Sequence, residues 1–203
     1  MYDGTDTATL TGTLNGVISA DIPNVSLVQA ATFSQANVGT GLAVTAADVL
    51  LGSVASNYTL TQPTGLTANI TPKALTVTGT TVSNKVYDGT TTATLTGTLS
   101  GVVSIDAANV TLVPAGTFSQ SNVGTGLAVT AADTLVGGAA GNYTLTQPTG
   151  LTASITPKAL TVSGSVVNDK VYDGMTAATL SSGSLVGVVS GDNVSLNQAG
   201  TFS

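Results

Sequence analysis

The triplet Tyr-Asp-Gly occurs at Tyr2, Tyr87 and Tyr172, 85 residues apart each time, and the residues around it recur at the same spacing. "TFSQANVGTGLAVTAAD" from Thr32 returns as "TFSQSNVGTGLAVTAAD" from Thr117, and "NYTLTQPTGLTA" from Asn57 returns from Asn142. About three-quarters of positions 2–86 are identical to positions 87–171, so the 203-residue chain is a tandem array of about two and a half copies. This period exceeds that of solenoid coils such as leucine-rich repeats, at about 20 to 29 residues. It is long enough for each copy to bury a small core of its own. A continuous β-helix would require self-similarity at about 20 to 30 residues within each copy, and none is visible. The expected units are residues 1–72, lacking a first strand; 73–157, complete; and 158–203, truncated in the C-terminal half. These ends suggest a fragment of a longer reading frame.

Only 7% of residues are charged: the ten acids are all Asp, the four bases all Lys, and Glu, Arg, His, Cys and Trp are absent. Losing Glu, Arg and most Lys removes good helix formers, while abundant Thr and Val favour strands. A net charge of −6 with four lysines speaks against a nucleic-acid surface, which needs clustered Lys or Arg. No run of about 18 apolar residues exists to span a membrane. Zero cysteine means no disulfide and no thiol chemistry.

Within the middle copy, short runs alternate with period two. Leu75 and Val77 share a face, as do Leu95 and Leu99 in "TATLTGTL", Val110 and Leu112, Leu127 and Val129, Tyr143 and Leu145, and Leu151, Ala153 and Ile155. Six such runs separated by Gly, Asn, Asp and Pro predict an antiparallel sandwich with one wet and one buried face per strand. The fold class is therefore all-β, as tandem immunoglobulin-like antiparallel β-sandwich repeats of about 85 residues. Barrel closure of the same strands is the alternative. Copies join through "ITPKALTV", where Pro72 and Pro157 fix φ and extend the preceding residue, predicting a short, stiff junction. With strands of about ten residues, each copy would add about 33 Å to a rod.

Tyr87-Asp88-Gly89 reads first as a turn: Gly supplies positive φ, and the Asp side chain bonds an amide two residues on. Tyr87 would bury its ring at a sheet corner and reach a backbone group with its hydroxyl. The competing reading is calcium at Asp88, but Ca²⁺ takes six to eight oxygens, and Asp88, Asp106 and Asp133 are spread along the copy. Asn24, Asn57, Asn109 and Asn142 head glycan-acceptor triplets, a pattern frequent by chance here; the tyrosine after Asn142 reads as a core anchor. "NVGTGLAV" from Asn122 lacks the Lys and helix of a phosphate loop and reads as a turn into a strand. Without His, Cys, Glu or Arg no familiar nucleophile–base pair, glycosidase pair or soft-metal cluster assembles. No catalytic, cofactor-binding or metal residues are assigned, and no enzyme is expected.

The ordered set "ITPKALTVTG … KVYDGTTTATLTGTL … NVGTGLAVT … GNYTLTQPTGLTASITPKALTV" resembles the YDG and MBG-type repeats of large bacterial filamentous haemagglutinin-like exoproteins. The resemblance covers nearly the whole chain. It implies a β-rich stalk module of a secreted or surface-attached adhesin, without catalytic residues, and maps the triplet onto Tyr2-Asp3-Gly4, Tyr87-Asp88-Gly89 and Tyr172-Asp173-Gly174. The third copy departs with Met175 in place of Thr and with "SSGSLVGVVSGDN", a changed loop that shifts the alignment by one residue. The implied localisation is extracellular or on the bacterial outer surface. The implied partners are neighbouring repeats, and host or matrix glycans or proteins reached through other regions. The alternative is that each repeat is a weak carbohydrate- or surface-binding module acting by avidity. The missing first strand of copy one also predicts strand addition from another chain.

Overall fold

The alternating Val, Thr and Leu runs form strands. The computed structural model describes residues 1–203 as 22 short strands and four single-turn 3-10 helices. No helix is long and apolar enough to cross a membrane. The protein is all-β, and an immunoglobulin-like arrangement is compatible with its sheets.

In the second copy, Lys73–Val82 is the central strand of three, flanked by Leu95–Ser100 and Tyr143–Thr146. A second sheet runs in the order Lys85–Val86, Leu151–Thr156, Gly124–Ala131, Gly116–Phe118, Thr92–Ala93. Thr111–Val113 and Thr134–Val136 form a separate antiparallel ladder. The faces picked out by alternation are the ones turned inward. Leu75, Leu95, Val110, Val129, Tyr143, Ala153 and Ile155 are all buried, with Leu75 and Ile155 the most enclosed at 0% and 1% exposure.

Two expectations are corrected. The run "TATLTGTL" is not one strand: it breaks at Thr94, Thr92–Ala93 joining the five-stranded sheet and Leu95–Ser100 the three-stranded one. Ala93 and Leu95 thereby reach the same core from two different sheets. Nor are all ladders antiparallel. Tyr143–Thr146 runs parallel to Lys73–Val82, with Tyr143 opposite Lys73 and Thr146 opposite Thr76, and Ile155–Thr156 runs parallel to Lys85–Val86. Parallel pairing requires a long connection between the two strands. Here each parallel ladder joins the start of the copy to its end, a pairing invisible to local periodicity.

The chain divides into two compact units, one of residues 1–79, 97–113 and 133–148, the other of residues 80–96, 114–132 and 149–203. Residues 73–157, expected as one unit, contribute to both. The first unit's core joins Tyr2 and Ile70 of copy one to Leu75, Val110, Ala139 and Tyr143 of copy two, with Phe33, Val38 and Leu42 packed against them. The second unit's core, Ala93, Leu95, Phe118, Val129, Ala131, Ala153 and Ile155, lies within copy two. Sequence copies share cores because the end of one copy is itself apolar and buries against the start of the next.

In copy three the inserted residue is Ser182, the single non-glycine residue with left-handed backbone (φ 61°). Elsewhere that conformation falls on glycine. Gly137 (φ +116°) and its counterpart Gly52 (φ +126°) turn where an added Cβ would lie on the carbonyl oxygens of Asn109 and Asn24. Gly137→Ala therefore combines left-handed strain with a backbone clash and should cost about 3 kcal/mol or more. The adjacent Gly138, with open space around it, should accept Ala within about 0.5 kcal/mol. Thermal denaturation of the two variants checks the contrast.

Candidate functional site: the Tyr-Asp-Gly junction

Each tyrosine of the triplet sits at the far end of its own copy. The Tyr2 N–H donates to the Thr71 carbonyl at 2.8 Å and the Tyr87 N–H to the Thr156 carbonyl at 2.9 Å. Both tyrosines are thus held beside the proline where the chain enters the next copy. From there the Tyr2 ring is buried, and its hydroxyl donates to Asp106 Oδ2 at 2.7 Å. Tyr143 donates to the same oxygen at 2.6 Å, and its own oxygen accepts the Val103 N–H at 3.1 Å. The two rings meet edge to face, centroids 5.4 Å apart and planes at 80°, the arrangement that ring quadrupoles favour. Asp106 is buried, and a carboxylate removed from water needs such donors.

The second unit repeats half of this arrangement: the Tyr87 hydroxyl donates to Asp192 Oδ1 at 2.9 Å. Asp21, Asp106 and Asp192 are equivalent positions once the inserted Ser182 and neighbouring changes are allowed for, and Tyr58 donates to Asp21 at 2.7 Å just as Tyr143 does to Asp106. The expectation that the Tyr87 hydroxyl reaches a backbone group is thereby corrected. Its partner is a carboxylate of the following copy, because the ring stands where its own copy ends. Tyr172 is 93% exposed.

The Asp of the triplet behaves as the turn reading expects. Asp3, Asp88 and Asp173 each accept, on Oδ1, the N–H two residues on, at 2.9 Å in all three copies. Lys85 Nζ lies 2.7 Å from the same oxygen of Asp88 and donates also to the Thr90 carbonyl at 2.8 Å. Lys170 does the same with Asp173 and Met175. The Lys85 ammonium, then the Thr90 amide and hydroxyl, hold the Asp88 carboxyl down to about 2. The oxygen that a calcium ion would need faces an ammonium instead. Asp106 and Asp133 belong to the first unit and Asp88 to the second, and no three ligating side chains come together as a metal site. Asp133 serves a different contact: its N–H and carbonyl are both held by the Gln147 amide, at 2.8 Å each.

The Gly of the triplet has φ of 84°, 79° and 76° in the three copies. It is also a point of close approach to the next copy: a Cβ on Gly4 would lie 2.9 Å from Ile105 Cγ2, and one on Gly89 3.1 Å from Val189 Cγ1. Turn geometry and close approach both demand glycine.

Asn142, singled out as a glycan acceptor, is buried in the junction. Its Oδ1 accepts the Val38 N–H and its Nδ2 donates to Asn37 Oδ1, both at 3.0 Å. Asn24, Asn57 and Asn109 are exposed. The glycines of "NVGTGLAV" belong to the strand Gly124–Ala131, where the ladder shifts register between Gly124 and Leu127. Sequence reasoning missed Asp106 as the partner of Tyr2. The available signal was its return as Asp21 and Asp192, through the altered loop of copy three.

A family model described as the YDG domain matches residues 1–65, 71–150 and 156–203. The chain belongs to the YDG domain family. No curated protein matches it, and no solved structure does. In this YDG array the three letters have separate tasks: Tyr reaches the next repeat's Asp, Asp closes the turn, and Gly lets the turn touch the next repeat.

Burial first, then the bond to Asp106, pushes the Tyr2 hydroxyl up to about 12. Burial and the same carboxylate raise Tyr143 as well. A raised tyrosine stabilises the fold fully below its unfolded value of about 10 and loses that contribution as pH climbs through the folded value. The first unit should therefore weaken between about pH 10 and 12. Tyr2→Phe should cost about 1.5–3 kcal/mol at pH 7, the range for a hydrogen bond to a charged group. Asp106→Ala should cost more, since it strands two hydroxyls. Denaturant unfolding at pH 7, and again across pH 9 to 12, tests all three statements.

Proposed function

We propose that these YDG repeats are stalk or spacer modules of a bacterial cell-surface or secreted adhesin, projecting a binding region that lies elsewhere in the parent protein. The observation that supports this reading is the Tyr2–Asp106 contact: a side chain of one repeat is buried in the next, so consecutive repeats are coupled through packed contacts and not through a flexible tether. A module whose notable residues recur every 85 positions suits a task that scales with copy number, such as spacing, better than a reaction that needs one site. In repeat arrays, stability is close to a sum of repeat and nearest-neighbour interface terms, and a strong interface term resists local opening under load. The reading is non-enzymatic and extracellular, with neighbouring repeats as the partners of each module.

Small-angle scattering of arrays of two, three and four complete repeats tests it. The expected result is a maximum dimension that grows linearly with repeat number, by about 33 Å per repeat, and does not change on adding calcium. A compact envelope, or reproducible binding of the array to glycans at affinities that rise with copy number, would overturn the spacer reading in favour of a binding module.

A further inference from the structure

The first unit holds a groove of about 610 Å³ whose walls include Leu10, Leu14, Val25, Leu60 and Leu66. Its two rims, residues 10–15 and 58–61, form no strand. In the next repeat the same words, Leu-Thr-Gly-Thr-Leu and Tyr-Thr-Leu-Thr, are the strands Leu95–Ser100 and Tyr143–Thr146. Lys73–Val82 lies between them and drives Leu75 to 0% exposure. Without such a strand, Leu10, Val25 and Tyr58 are only half-buried, whereas their counterparts Leu95, Val110 and Tyr143 are each 6% exposed.

The rest of this acceptor is already built. Tyr58 binds Asp21 at 2.7 Å and the Ile18 N–H at 3.2 Å, matching Tyr143 with Asp106 and Val103. The Gln62 amide brackets the Asp48 backbone at 2.9 and 2.7 Å, as Gln147 brackets Asp133. Ser26–Val28 pairs with Val49–Leu51 in the register of the ladder between Thr111–Val113 and Thr134–Val136. Only the central strand is absent from the groove.

The same chain carries a matching donor. Residues 158–164 read Lys-Ala-Leu-Thr-Val-Ser-Gly, against Lys-Ala-Leu-Thr-Val-Thr-Gly at 73–79. This segment is paired along one edge only, Thr161–Ser163 with Ser184–Val186 and Val166–Val167 with Leu180–Ser181. Leu160, Val162, Val166 and Val167 are 36%, 48%, 51% and 57% exposed.

We propose that the groove accepts the 158–167 segment of a second copy of this chain, inserted between residues 10–15 and 58–61 and parallel to the latter. Exchanging its single ladder for two, the donor buries Leu160 where Leu75 lies in the complete repeat. The register follows from the filled site, where Tyr143 faces Lys73 and Leu145 faces Leu75: Tyr58 faces Lys158, Thr59 faces Ala159, and Leu60 faces Leu160. Because donor and acceptor lie on different parts of the chain, the contact is heterologous and propagates into chains of copies. Backbone ladders supply affinity, and the alternate side chains supply specificity.

The absence of cysteine makes a direct test clean. Thr59→Cys and Ala159→Cys are both exposed substitutions, placed opposite each other by this register. Mixed and oxidised, the two single-cysteine chains should give a disulfide-linked heterodimer in preference to either homodimer. The unmodified chain should associate with rising concentration in sedimentation equilibrium. A peptide of residues 72–82 should bind the chain and suppress that association at least tenfold, and Leu160→Asp, at an already part-exposed position, should abolish it while leaving peptide binding intact. A monomer at all concentrations overturns the proposal, even if the peptide binds. Association that survives both the peptide and Leu160→Asp, or cysteine coupling no better than between homodimers, places another surface in contact and overturns it too.

Discussion

One buried carboxylate receives hydroxyls from two repeats. Asp106 Oδ2 is the acceptor for Tyr143 of its own repeat and for Tyr2 of the preceding one, at 2.6 and 2.7 Å. A carboxylate in an apolar core is costly without donors, and a tyrosine hydroxyl there is costly without an acceptor, so each repeat supplies what the other lacks. The bonds have a geometric consequence as well. They hold the Tyr2 ring edge-on against Tyr143 and keep Ile70 and Leu75, on either side of the Pro72 junction, in one cluster.

The unit of sequence and the unit of packing are therefore different things. The sequence repeats every 85 residues, yet the best-packed bodies draw on parts of neighbouring copies. This is the behaviour of a quasi-one-dimensional protein, in which the interface between modules belongs to the core. The triplet that names the family lies at that interface. Its Asp and Gly shape a turn, as such residues do in many proteins. What is particular to this chain is that the turn is pressed against Val103 and Ile105 of the next copy.

Much of the fold was legible in the sequence, since period-two alternation marks a half-buried strand directly. The inward residues Leu75, Leu95, Val129 and Ile155 all follow from it. So did the turn at Asp88, where a side-chain bond to an amide two residues on is a purely local matter. Partners distant in sequence were not legible. The parallel ladder between Lys73–Val82 and Tyr143–Thr146 leaves no trace in either strand's own pattern. Nor does the contact between Tyr2 and Asp106, 104 residues apart, although the recurrence of that Asp in each copy pointed to it.

The sharpest division between sequence and tertiary structure lies in two identical words. Leu-Thr-Gly-Thr-Leu at 10–14 and at 95–99 carries the same β propensity and the same alternation, as does Tyr-Thr-Leu-Thr at 58–61 and 143–146. The sequence by itself determined that these residues suit a strand, which apolar face they present, and where turns must interrupt them. Whether they become strands was decided by Lys73–Val82, which lies between one pair and leaves the other as the rims of a groove. A strand's backbone groups are satisfied only by a neighbour, so its existence belongs to the pairing and not to the segment.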